Sequence, residues 1–437
     1  MRALLRSRRP LLLAVCPALI AATLAATAQS APAAPAPERS SEHTVEHVVL
    51  IGFDGFDADY FGRVPTPNLD ALAARGSRGT TLAPAQSITN PSFATLASGA
   101  WPRTTGNVAY IFDRETQSYR GQSRDLAVPT IAEAVRDSGG TVGAAQYFIL
   151  QNHGATYGDP EAVYTQPGGP CARRFDDAIA MIEGRPVNSG GTQVTVPQTP
   201  NLLAVYCDTL DTTGHSEGPN SPQIDAGLAE VDAQVGRLVA ALERNGLSDS
   251  TAIVLTGDHG MTAHSRTFGD ELLQELAVRG LKGQYLPAGG PLAPDTDVVL
   301  TSAGGAANAY LVGDVEGSKE ALAKVREAAE ATEGTAEILD RHDQRRLDMD
   351  PRVGDLVIQT APGYAASSGA IATPEDGHHG STHERDAAFF IAGAGVRDRG
   401  GRWASVGHID VAPTIAHLLG IDAPSGSEGR VRRELLD

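Results

Sequence analysis

Three acidic residues each follow a short apolar run of the sequence. They are Asp54, directly after Val48–Phe53; Asp211, a few residues after Leu202–Tyr206; and Asp258, shortly after Ala252–Leu255. The length and β-branched content of these runs are typical of buried strands. Because ligands gather beyond the carboxyl ends of strands in open α/β sheets, we expect the three carboxylates to meet at one edge of a sheet.

Histidines accompany these carboxylates. His215 ends the segment DTTGH, and His259 lies in GDHGM. A third group, HHGSTHERD (His378–Asp386), precedes a fourth apolar run, Phe389–Ala392. Mixed oxygen and nitrogen ligands suit divalent ions, and two ions about 4 Å apart can bind the attacking and leaving oxygens of a phosphoryl transfer together. The pattern therefore predicts a metal-dependent hydrolytic site.

A hydroxyl group lies in the segment SITNPSFATLASG (Ser87–Gly99), where Pro91 is typical of the first turn of a helix. Thr89 is then expected at a helix N-terminus, where backbone N–H groups and the helix dipole favour an anion. A hydroxyl placed there beside a metal is a candidate nucleophile. An ordinary N-cap is the alternative interpretation of Thr89, and the two roles are compatible.

The elements that must position these groups alternate along the chain. Helical patterns lie between the apolar runs, and the clearest is Pro222–Asn245, which begins at a proline and is followed by Gly246. The near-continuous hydrophobicity of the runs suits strands that are covered on both faces. We therefore predict an α/β fold with a mostly parallel central sheet sandwiched by helices.

The pattern changes between Met261 and Gly377, where short strands accompany a Pro/Gly-rich loop and a charged helix. We predict that residues 262–376 form a smaller α+β insertion in a catalytic domain that spans residues 45–437. Two polar stretches, Gly184–Pro200 and Asp340–Arg346, are predicted to be surface loops.

The first 28 residues have an arginine-rich start, an apolar stretch and a small-residue exit, which is the pattern of a signal peptide. The run SRRPLL (Ser7–Leu12) also resembles a twin-arginine signal, and the general secretory route is the alternative. Residues 29–44 are predicted to be a flexible leader rich in Ala and Pro. We expect an exported, soluble mature protein without a membrane anchor, either secreted or held in the cell envelope.

Charge and cysteine content exclude several kinds of site. The formal net charge is −18 and becomes −22 without the four arginines of residues 1–28, which disfavours binding to nucleic acids or anionic membranes. A small phosphorylated substrate would then need bound cations. Cys171 and Cys207 remain after the signal, either as one disulfide or as two buried thiols. Two cysteines cannot build a thiolate metal site.

Several segments together resemble the alkaline phosphatase superfamily, and within it the type I phosphodiesterase/nucleotide pyrophosphatase family. The matching segments are VVLIGFDGF, PTPNLDALAARG (Pro65–Gly76), TNPSFATLASG, DTTGHSEGP (Asp211–Pro219), EVDAQVGRL, IVLTGDHGM, HHG and HIDVAPTIAHLLG (His408–Gly420). They frame nearly the whole mature chain. The resemblance implies an alkaline-phosphatase-like fold and a hydrolase that cleaves phosphodiester or pyrophosphate bonds.

The resemblance also implies roles for individual residues. Thr89 would be the nucleophile and form a phosphothreonine intermediate that water hydrolyses, and the backbone amide of Asn90 would donate to a phosphoryl oxygen. The implied ligands of two divalent ions, most simply Zn²⁺, are Asp54, Thr89, Asp258 and His259 for one ion and Asp211, His215 and His379 for the other. His379 is preferred to His378 and His383 because a glycine follows it directly, as in the family's HG element.

One departure from the family pattern concerns the substrate. Many relatives carry an asparagine in a segment like HGIVGN, and the equivalent TGNVAY (Thr105–Tyr110) has Tyr110 in that place. Asn107 is close enough to substitute, so Asn90, Tyr110 and Asn107 are the candidate substrate-binding residues. Ser92 stands where pyrophosphatase-type members often have Asn. A phosphomonoesterase, a phosphonate hydrolase of the same superfamily and a non-catalytic metal-binding protein are the alternatives.

Overall fold

Strands and helices alternate along residues 45–369 and 376–437, the part of the chain that the computed structural model describes. The predicted signal peptide and leader lie outside the described residues. The strands are β1 (His47–Phe53), β2 (Gly76–Leu82), β3 (Ile111–Asp113), β4 (Ser118–Arg120), β5 (Val142–Ala145), β6 (Ala162–Tyr164), β7 (Val187–Ser189), β8 (Thr192–Val194), β9 (Leu202–Cys207), β10 (Thr251–Gly257), β11 (Thr262–Thr267), β12 (Gly283–Tyr285), β13 (Val298–Ser302), β14 (Ala306–Leu311), β15 (Thr335–Leu339), β16 (Leu356–Thr360), β17 (Gly363–Ala365), β18 (Gly377–His378), β19 (Asp386–Gly393) and β20 (Arg402–Gly407).

The helices connect these strands and cover the sheets. They are α1 (Pro67–Ala74), α2 (Thr89–Ser98), α3 (Pro102–Thr105), α4 (Ile131–Asp137), α5 (Cys171–Ile182), α6 (Thr209–Glu217), α7 (Pro222–Arg244), α8 (Gly269–Val278), α9 (Lys319–Ala331), α10 (Arg341–Arg346) and α11 (Val411–Leu418). The long helix predicted over Pro222–Asn245 forms as α7 and ends one residue earlier. Within the described residues, no helix combines the length and apolar character needed to cross a membrane.

The central sheet has eight strands in the order β20-β2-β19-β10-β1-β9-β5-β6. β1 lies between β10 and β9 and is parallel to both, with Phe53 opposite Gly257 and Cys207. β19 is antiparallel to β10 and β2, and the remaining neighbours are parallel. The prediction of a mostly parallel central sheet is confirmed. Because β1 and β10 end in register, Asp54 and Asp258 emerge side by side.

The strand β19 reaches the same edge from the opposite direction. Since it is antiparallel to β10, it begins where β10 ends. The histidine-rich segment that precedes it is therefore brought to the edge where the carboxylates emerge. The antiparallel orientation of β19 thus explains why its histidines come before the strand in the sequence, whereas Asp54 and Asp258 come after theirs.

Both faces of the sheet are buried, as the continuous apolar runs predict. Val49, Ile51 and Phe53 pack on one side with apolar residues of α5 and α7. Val48 and Leu50 pack on the other side with apolar residues of α2, α4 and α11. The alternation follows from the period of two in a strand, and it explains why residues 48–53 of β1 carry no polar side chain on either face.

A second sheet of five strands, in the order β12-β13-β14-β16-β15, lies within the segment predicted as an insertion. Apolar residues of α8 and α9 pack on one of its faces. Its other face contacts Ile111 and Phe112, which follow the α2–α3 region. The second sheet therefore packs against the segment that comes just after the candidate nucleophile helix.

Two stretches predicted as loops are regular structure. Gly184–Pro200 contains the hairpin β7–β8, in which Val187 pairs with Val194 and both are buried. The turn between them is Gly190-Gly191. A Gly-Gly pair between two short strands is typical of a hairpin, even where the segment as a whole is polar. Asp340–Arg346 contains the helix α10, because Asp340 Oδ1 accepts from the backbone amides of His342 and Asp343. An aspartate cap therefore makes a helix of this charged run.

Cys171 and Cys207 form a disulfide, which settles the alternative left open by the sequence. The bond joins the start of α5 to the end of β9, and both residues are buried. In the chain-entropy account, a cross-link between residues 36 apart stabilises a fold by about 4 kcal/mol. It fixes the strand end from which the chain continues to Asp211.

Candidate metal centre and nucleophile

Asp54, Asp258 and His259 form a buried cluster at the end of β1 and β10. His259 Nε2 lies 3.3 Å from Asp54 Oδ1 and 3.3 Å from Asp258 Oδ2. The side chains of His259 and Asp258 are fully buried, and that of Asp54 is 3% exposed. The two strand ends thus deliver two oxygens and one nitrogen to a single point.

Neighbouring groups hold these ligands in place. The Tyr206 hydroxyl donates to Asp54 Oδ2 at 2.6 Å, and the Gly55 amide donates to Asp258 Oδ1 at 3.0 Å. His259 Nδ1 donates to the Gly260 carbonyl at 2.9 Å, which directs Nε2 towards the centre of the cluster. Each residue therefore turns one polar atom to the protein and one to the centre of the cluster.

Burial of the inward carboxylate oxygens requires a positively charged partner beside them. Asp54 Oδ1 and Asp258 Oδ2 are buried and have no hydrogen-bond partner, an arrangement that is costly for a carboxylate. Burial raises the pKa of Asp258 well above its ordinary value, and the charge of Asp54 raises it further. Burial lowers the pKa of His259, but Asp258 and Asp54 together raise it to about 10. A divalent ion bound by two carboxylates and an imidazole fits this donor set.

Asp211, His215 and His379 form a second cluster beside the first. Asp211 Oδ1 lies 3.3 Å from His215 Nε2 and 3.6 Å from His379 Nε2. The Nδ1 atoms of the two histidines donate to backbone carbonyls, that of Gly377 at 2.8 Å and that of Ser87 at 2.6 Å. Both Nε2 atoms are again directed at a carboxylate oxygen, as in sites where imidazole binds a metal.

The second cluster is more open and has different electrostatics. The His215 side chain is 44% exposed and that of Asp211 is 17% exposed. Burial raises the pKa of Asp211, but the contact with His215 and the charge of His379 lower it to about 2. Burial and the charge of His259 keep the pKa of His379 well below its ordinary value. A neutral imidazole and an ionised carboxylate are the forms that bind metal.

The two clusters adjoin. The rings of His259 and His379 are stacked with their centroids 3.5 Å apart, and those of His215 and His379 are 5.1 Å apart. The six predicted carboxylate and imidazole ligands therefore lie in two neighbouring groups. Of the three histidines that competed for one place, His379 joins the cluster, whereas His378 Nε2 donates to the Tyr364 carbonyl.

Thr89 lies at the start of α2, facing the buried cluster. Its Oγ1 is 3.3 Å from His259 Nε2, and the residue is 9% exposed. Thr89 is the first residue of the helix and Ile88 is the N-cap, which has no side-chain oxygen. The interpretation of Thr89 as the N-cap is therefore wrong, because the cap is Ile88 and the Thr89 hydroxyl points to His259 of the buried cluster.

The predicted substrate-binding residues have unequal positions. The Asn90 amide, next to Thr89, donates to Gln122 Oε1 at 2.8 Å. Both N–H groups of the buried Asn107 side chain are taken, by the carbonyls of Ser123 and Asp125 at 3.0 Å each. The hydroxyl of the half-buried Tyr110 accepts from Gln122 Nε2 at 3.0 Å. Asn90 and Tyr110 thus meet at Gln122, while Asn107 holds the backbone behind it.

Sequence reasoning missed the residues that support the ligands. Tyr206 carries the only hydroxyl of the apolar run Leu202–Tyr206, and a polar group at the end of a buried strand indicates a specific hydrogen bond. Asp57 Oδ2 accepts from the Met261 amide at 2.8 Å and so fixes the segment after His259. Buried His408 donates from Nε2 to the Asp258 carbonyl at 3.0 Å. These contacts join residues more than 140 positions apart, which local patterns do not reveal.

Comparison with known proteins identifies the relatives of this chain. The profile of the family described as type I phosphodiesterase / nucleotide pyrophosphatase matches residues 48–383, which is more than half of the chain. Human ectonucleotide pyrophosphatase/phosphodiesterase family member 7 is 28% identical over 293 residues, which are 62% of this chain and 62% of the relative. A bis(5'-adenosyl)-triphosphatase of Xenopus laevis is 28% identical over 239 residues, 51% of this chain and 49% of the relative.

The chain therefore spans about half to three fifths of the length of these curated relatives. Solved structures match over more of the chain. Human ectonucleotide pyrophosphatase/phosphodiesterase 5 has a TM-score of 0.69 at 20% identity and covers 90% of this chain and 100% of its own. An inactive threonine-to-alanine variant of the murine protein, in complex with AMP, has a TM-score of 0.67 at 20% identity over 86% of this chain and 96% of its own. These likenesses show the fold.

Proposed function

The chain belongs to the type I phosphodiesterase/nucleotide pyrophosphatase family, and on that premise we propose that it is an exported two-metal hydrolase of phosphodiester or pyrophosphate bonds. The reaction would pass through a phosphothreonine at Thr89. One observation supports this most strongly: two carboxylate–imidazole clusters adjoin, and the Thr89 hydroxyl lies 3.3 Å from His259 Nε2.

The residues of the buried cluster would hold one ion and those of the open cluster the other. Mixed carboxylate and imidazole donors suit Zn²⁺. When bound, two such ions supply the positive charge that offsets an anionic substrate and stabilises the threonine oxygen as an anion. Tyr206 and the Gly55 amide would keep Asp54 and Asp258 oriented, so that the ligand oxygens need not reorganise during the reaction.

Thr89 would carry the phosphoryl group. After its hydroxyl proton passes to solvent, Oγ1 attacks phosphorus, the Oγ1–P bond forms and the P–O bond to the leaving group breaks with its electron pair. Water then attacks the phosphorus of the phosphothreonine, the Oγ1–P bond breaks and Thr89 regains a proton. The position of Thr89 in the first turn of α2 favours the anionic charge of both steps, because the positive end of the helix dipole lies there.

The substrate would be a small phosphorylated molecule, and a nucleotide in particular. A solved structural neighbour holds AMP, and one relative is named a bis(5'-adenosyl)-triphosphatase. The net charge of −18 argues against a nucleic-acid surface and against an anionic membrane as partner. The opening of the second cluster, where His215 is 44% exposed, is compatible with a small ligand entering from solvent.

Export is supported by two independent features. The first 28 residues have the composition of a signal peptide, with the twin-arginine route as the proposed path. The disulfide between Cys171 and Cys207 is the kind of bond that persists in an oxidising compartment.

Activity on bis(p-nitrophenyl) phosphate tests the proposal. The purified protein should contain divalent metal and hydrolyse the diester, and a chelator should abolish turnover. Thr89→Ala should lower kcat/KM by roughly 10³-fold or more, as the loss of a nucleophile does. Thr95→Ala is the matched control, because Thr95 lies nearly two turns later on α2 and its hydroxyl donates to the Pro91 carbonyl.

The same preparation separates the competing activities. Relative kcat/KM values on p-nitrophenyl phosphate, phosphonoacetate and a dinucleoside triphosphate distinguish a monoesterase and a phosphonate hydrolase from a diesterase. Metal-free protein with intact ligands, or Thr89→Ala retaining full activity, would refute the proposed mechanism. Two bound ions without turnover on any of these substrates would favour a binding protein.

A further inference from the structure

The side chain of Gln122 lies across the N-terminus of α2. Its Oε1 accepts from the Asn90 amide at 2.8 Å, and its Nε2 donates to the Tyr110 hydroxyl at 3.0 Å. The amide of Asn90 is next to Thr89 and belongs to the first turn of the helix, where an anionic oxygen is favoured. An uncharged carboxamide therefore occupies a place suited to a phosphoryl oxygen.

The backbone that carries Gln122 is fixed, whereas its side chain is exposed. Asn90 Nδ2 donates to the Ser123 carbonyl at 2.6 Å. Asn107 Nδ2 donates to the same carbonyl and to that of Asp125, both at 3.0 Å. Gln122 itself is exposed to solvent, so its carboxamide has room to turn. Asn90 and Asn107 thus hold the backbone in a position that places the Gln122 carboxamide at the candidate substrate site.

Tyr110 holds the other end of this carboxamide. Its backbone has a φ of 56°, which is unusual for a bulky residue, and its carbonyl accepts from Thr301 Oγ1 at 2.5 Å and Asn308 Nδ2 at 3.0 Å. Burial raises the pKa of Tyr110, and the negative charges of Asp211 and Asp54 contribute. The phenol is therefore within electrostatic reach of both metal-ligand clusters, and the second sheet fixes it there.

A purely structural cap looks different in this molecule. The helix α1 also lacks a side-chain cap of its own, and Asp232 of α7 supplies one. That carboxylate is 4% exposed and accepts from the amides of Asn68 and Leu69 at 3.0 and 2.9 Å. Gln122 instead accepts from one amide, is exposed, and carries a donor that Asp232 lacks. The Nε2 donor of Gln122 contacts the Tyr110 hydroxyl and takes no part in capping the helix.

We propose that Gln122 binds a phosphoryl oxygen of the substrate, an inference that rests on the proposed function of the site. In the free protein, Gln122 Oε1 satisfies the Asn90 amide. An entering phosphoryl oxygen takes that amide, and the carboxamide turns so that Nε2 donates to the substrate. Gln122 thereby supplies the side-chain amide donor that Tyr110, at the place of the expected asparagine, does not provide.

The variant Gln122→Glu separates this role from capping. Glutamate keeps an oxygen that can accept from the Asn90 amide, but it loses the donor and places a negative charge against the phosphoryl group. We expect kcat/KM on bis(p-nitrophenyl) phosphate to fall about 10²-fold, the loss typical of one oxyanion donor, with metal content and Tm unchanged. The inhibition constant of inorganic phosphate should rise in parallel. Gln193→Glu, on the exposed strand β8, is the charge control.

Two results would overturn the inference. If Gln122→Glu keeps both kcat/KM and phosphate inhibition, Gln122 is only a cap. If Gln122→Ala binds phosphate more tightly and turns over faster, the side chain merely obstructs the site. Calorimetric titration of wild type and Gln122→Glu with inorganic phosphate decides the point even if no diester is hydrolysed, so a failure of the proposed reaction is distinguishable. Equal phosphate binding by both proteins, or none by wild type, also contradicts the inference.

Discussion

The two ligand clusters differ in how the protein encloses and supports them. In the buried cluster, the His259 side chain is fully inaccessible to solvent, whereas in the open cluster the His215 side chain is 44% exposed. The buried cluster comes from the ends of two paired parallel strands. The open cluster comes from the helix α6 and the segment before β19. Sheet register therefore fixes one ligand set, and a helix with a connecting segment fixes the other.

This difference in exposure suggests a different role for each cluster in the proposed reaction. The buried cluster faces Thr89, and its inward oxygens, Asp54 Oδ1 and Asp258 Oδ2, are buried without a hydrogen-bond partner. The open cluster has a solvent-facing imidazole, so small molecules can approach it. We infer that the first cluster serves the attacking threonine and the second serves the entry of substrate and water.

The largest effect is expected from the buried cluster. Asp258→Asn replaces a carboxylate oxygen that is fully buried and belongs to the candidate ion site formed with Asp54 and His259. Turnover of bis(p-nitrophenyl) phosphate should fall by roughly 10³-fold or more, since even an outer-shell partner of a ligand costs about 10–100-fold. Elemental analysis should show the loss of one ion per chain. Asp249→Asn, at an exposed aspartate between α7 and β10, should leave both quantities unchanged.

A smaller and reversible effect is expected from the open cluster. His215→Ala removes one exposed imidazole whose Nδ1 is bound to the Gly377 carbonyl, and leaves a gap that solvent reaches. Activity should fall by about 10²-fold, and added imidazole should restore part of it by filling the gap.

The control for this rescue is the corresponding change in the buried cluster. His259→Ala leaves a space that is much less open to solvent than the one at His215, because the His259 side chain is fully buried and the His215 side chain is 44% exposed. Imidazole should therefore fail to rescue it. Equal rescue of both variants would show that the buried cluster opens in solution, and the contrast between the two clusters would no longer hold.

Tyr206→Phe tests how far the buried cluster depends on its outer contacts. The variant removes only the hydroxyl that donates to Asp54 Oδ2 at 2.6 Å and keeps the ring. We expect metal affinity to fall about 10-fold, measured by competition with a chelating dye, and kcat at saturating metal to change little. Tyr164→Phe, on β6 of the same sheet, is the matched control. An unchanged affinity would mean that Asp54 is oriented by the strand alone.

The sequence named residues that the fold does bring together, because several of them lie next to a strong local signal. Asp54 and Asp258 follow buried apolar strands, and Thr89 stands beside a proline typical of a helix start. The layers of the fold were predictable for the same reason, since apolar runs covered on both faces indicate a parallel sheet between helices.

The remaining features depend on distant contacts. Tyr206 reaches Asp54 across 152 positions, and Asp57 binds the Met261 amide across 204. The position of Gln122 over α2 follows from hydrogen bonds made by Asn90 and Asn107, which pattern reasoning assigned to the substrate. Local propensity contains no information on which of several polar groups a folded chain brings together.

The smallest expected effect concerns the pH dependence of stability without metal. The carboxylates raise the pKa of His259 to about 10, above its ordinary value of 6.5. A raised histidine pKa stabilises the folded state below pH 6.5, and that contribution is lost as the pH rises towards 10. In the open cluster, contacts lower the pKa of Asp211 from 3.8 to about 2, so its contribution is full above pH 3.8 and is lost only in acid. The contribution of His259 to stability is thus lost at high pH, and that of Asp211 is lost at low pH.

Thermal unfolding with and without chelator measures this difference. For the chelated protein we expect Tm to fall by about 2 °C or more between pH 6.5 and pH 10, because each kcal/mol corresponds to a few degrees in a domain of this kind. With Zn²⁺ bound, the same interval should have a smaller slope, since the ion replaces the proton on His259 as the source of positive charge. A chelated Tm that is independent of pH over this interval would contradict the assignment of the buried cluster as the site that requires a cation. His153→Gln, at a partly exposed imidazole outside both clusters, should leave the difference between the two slopes intact.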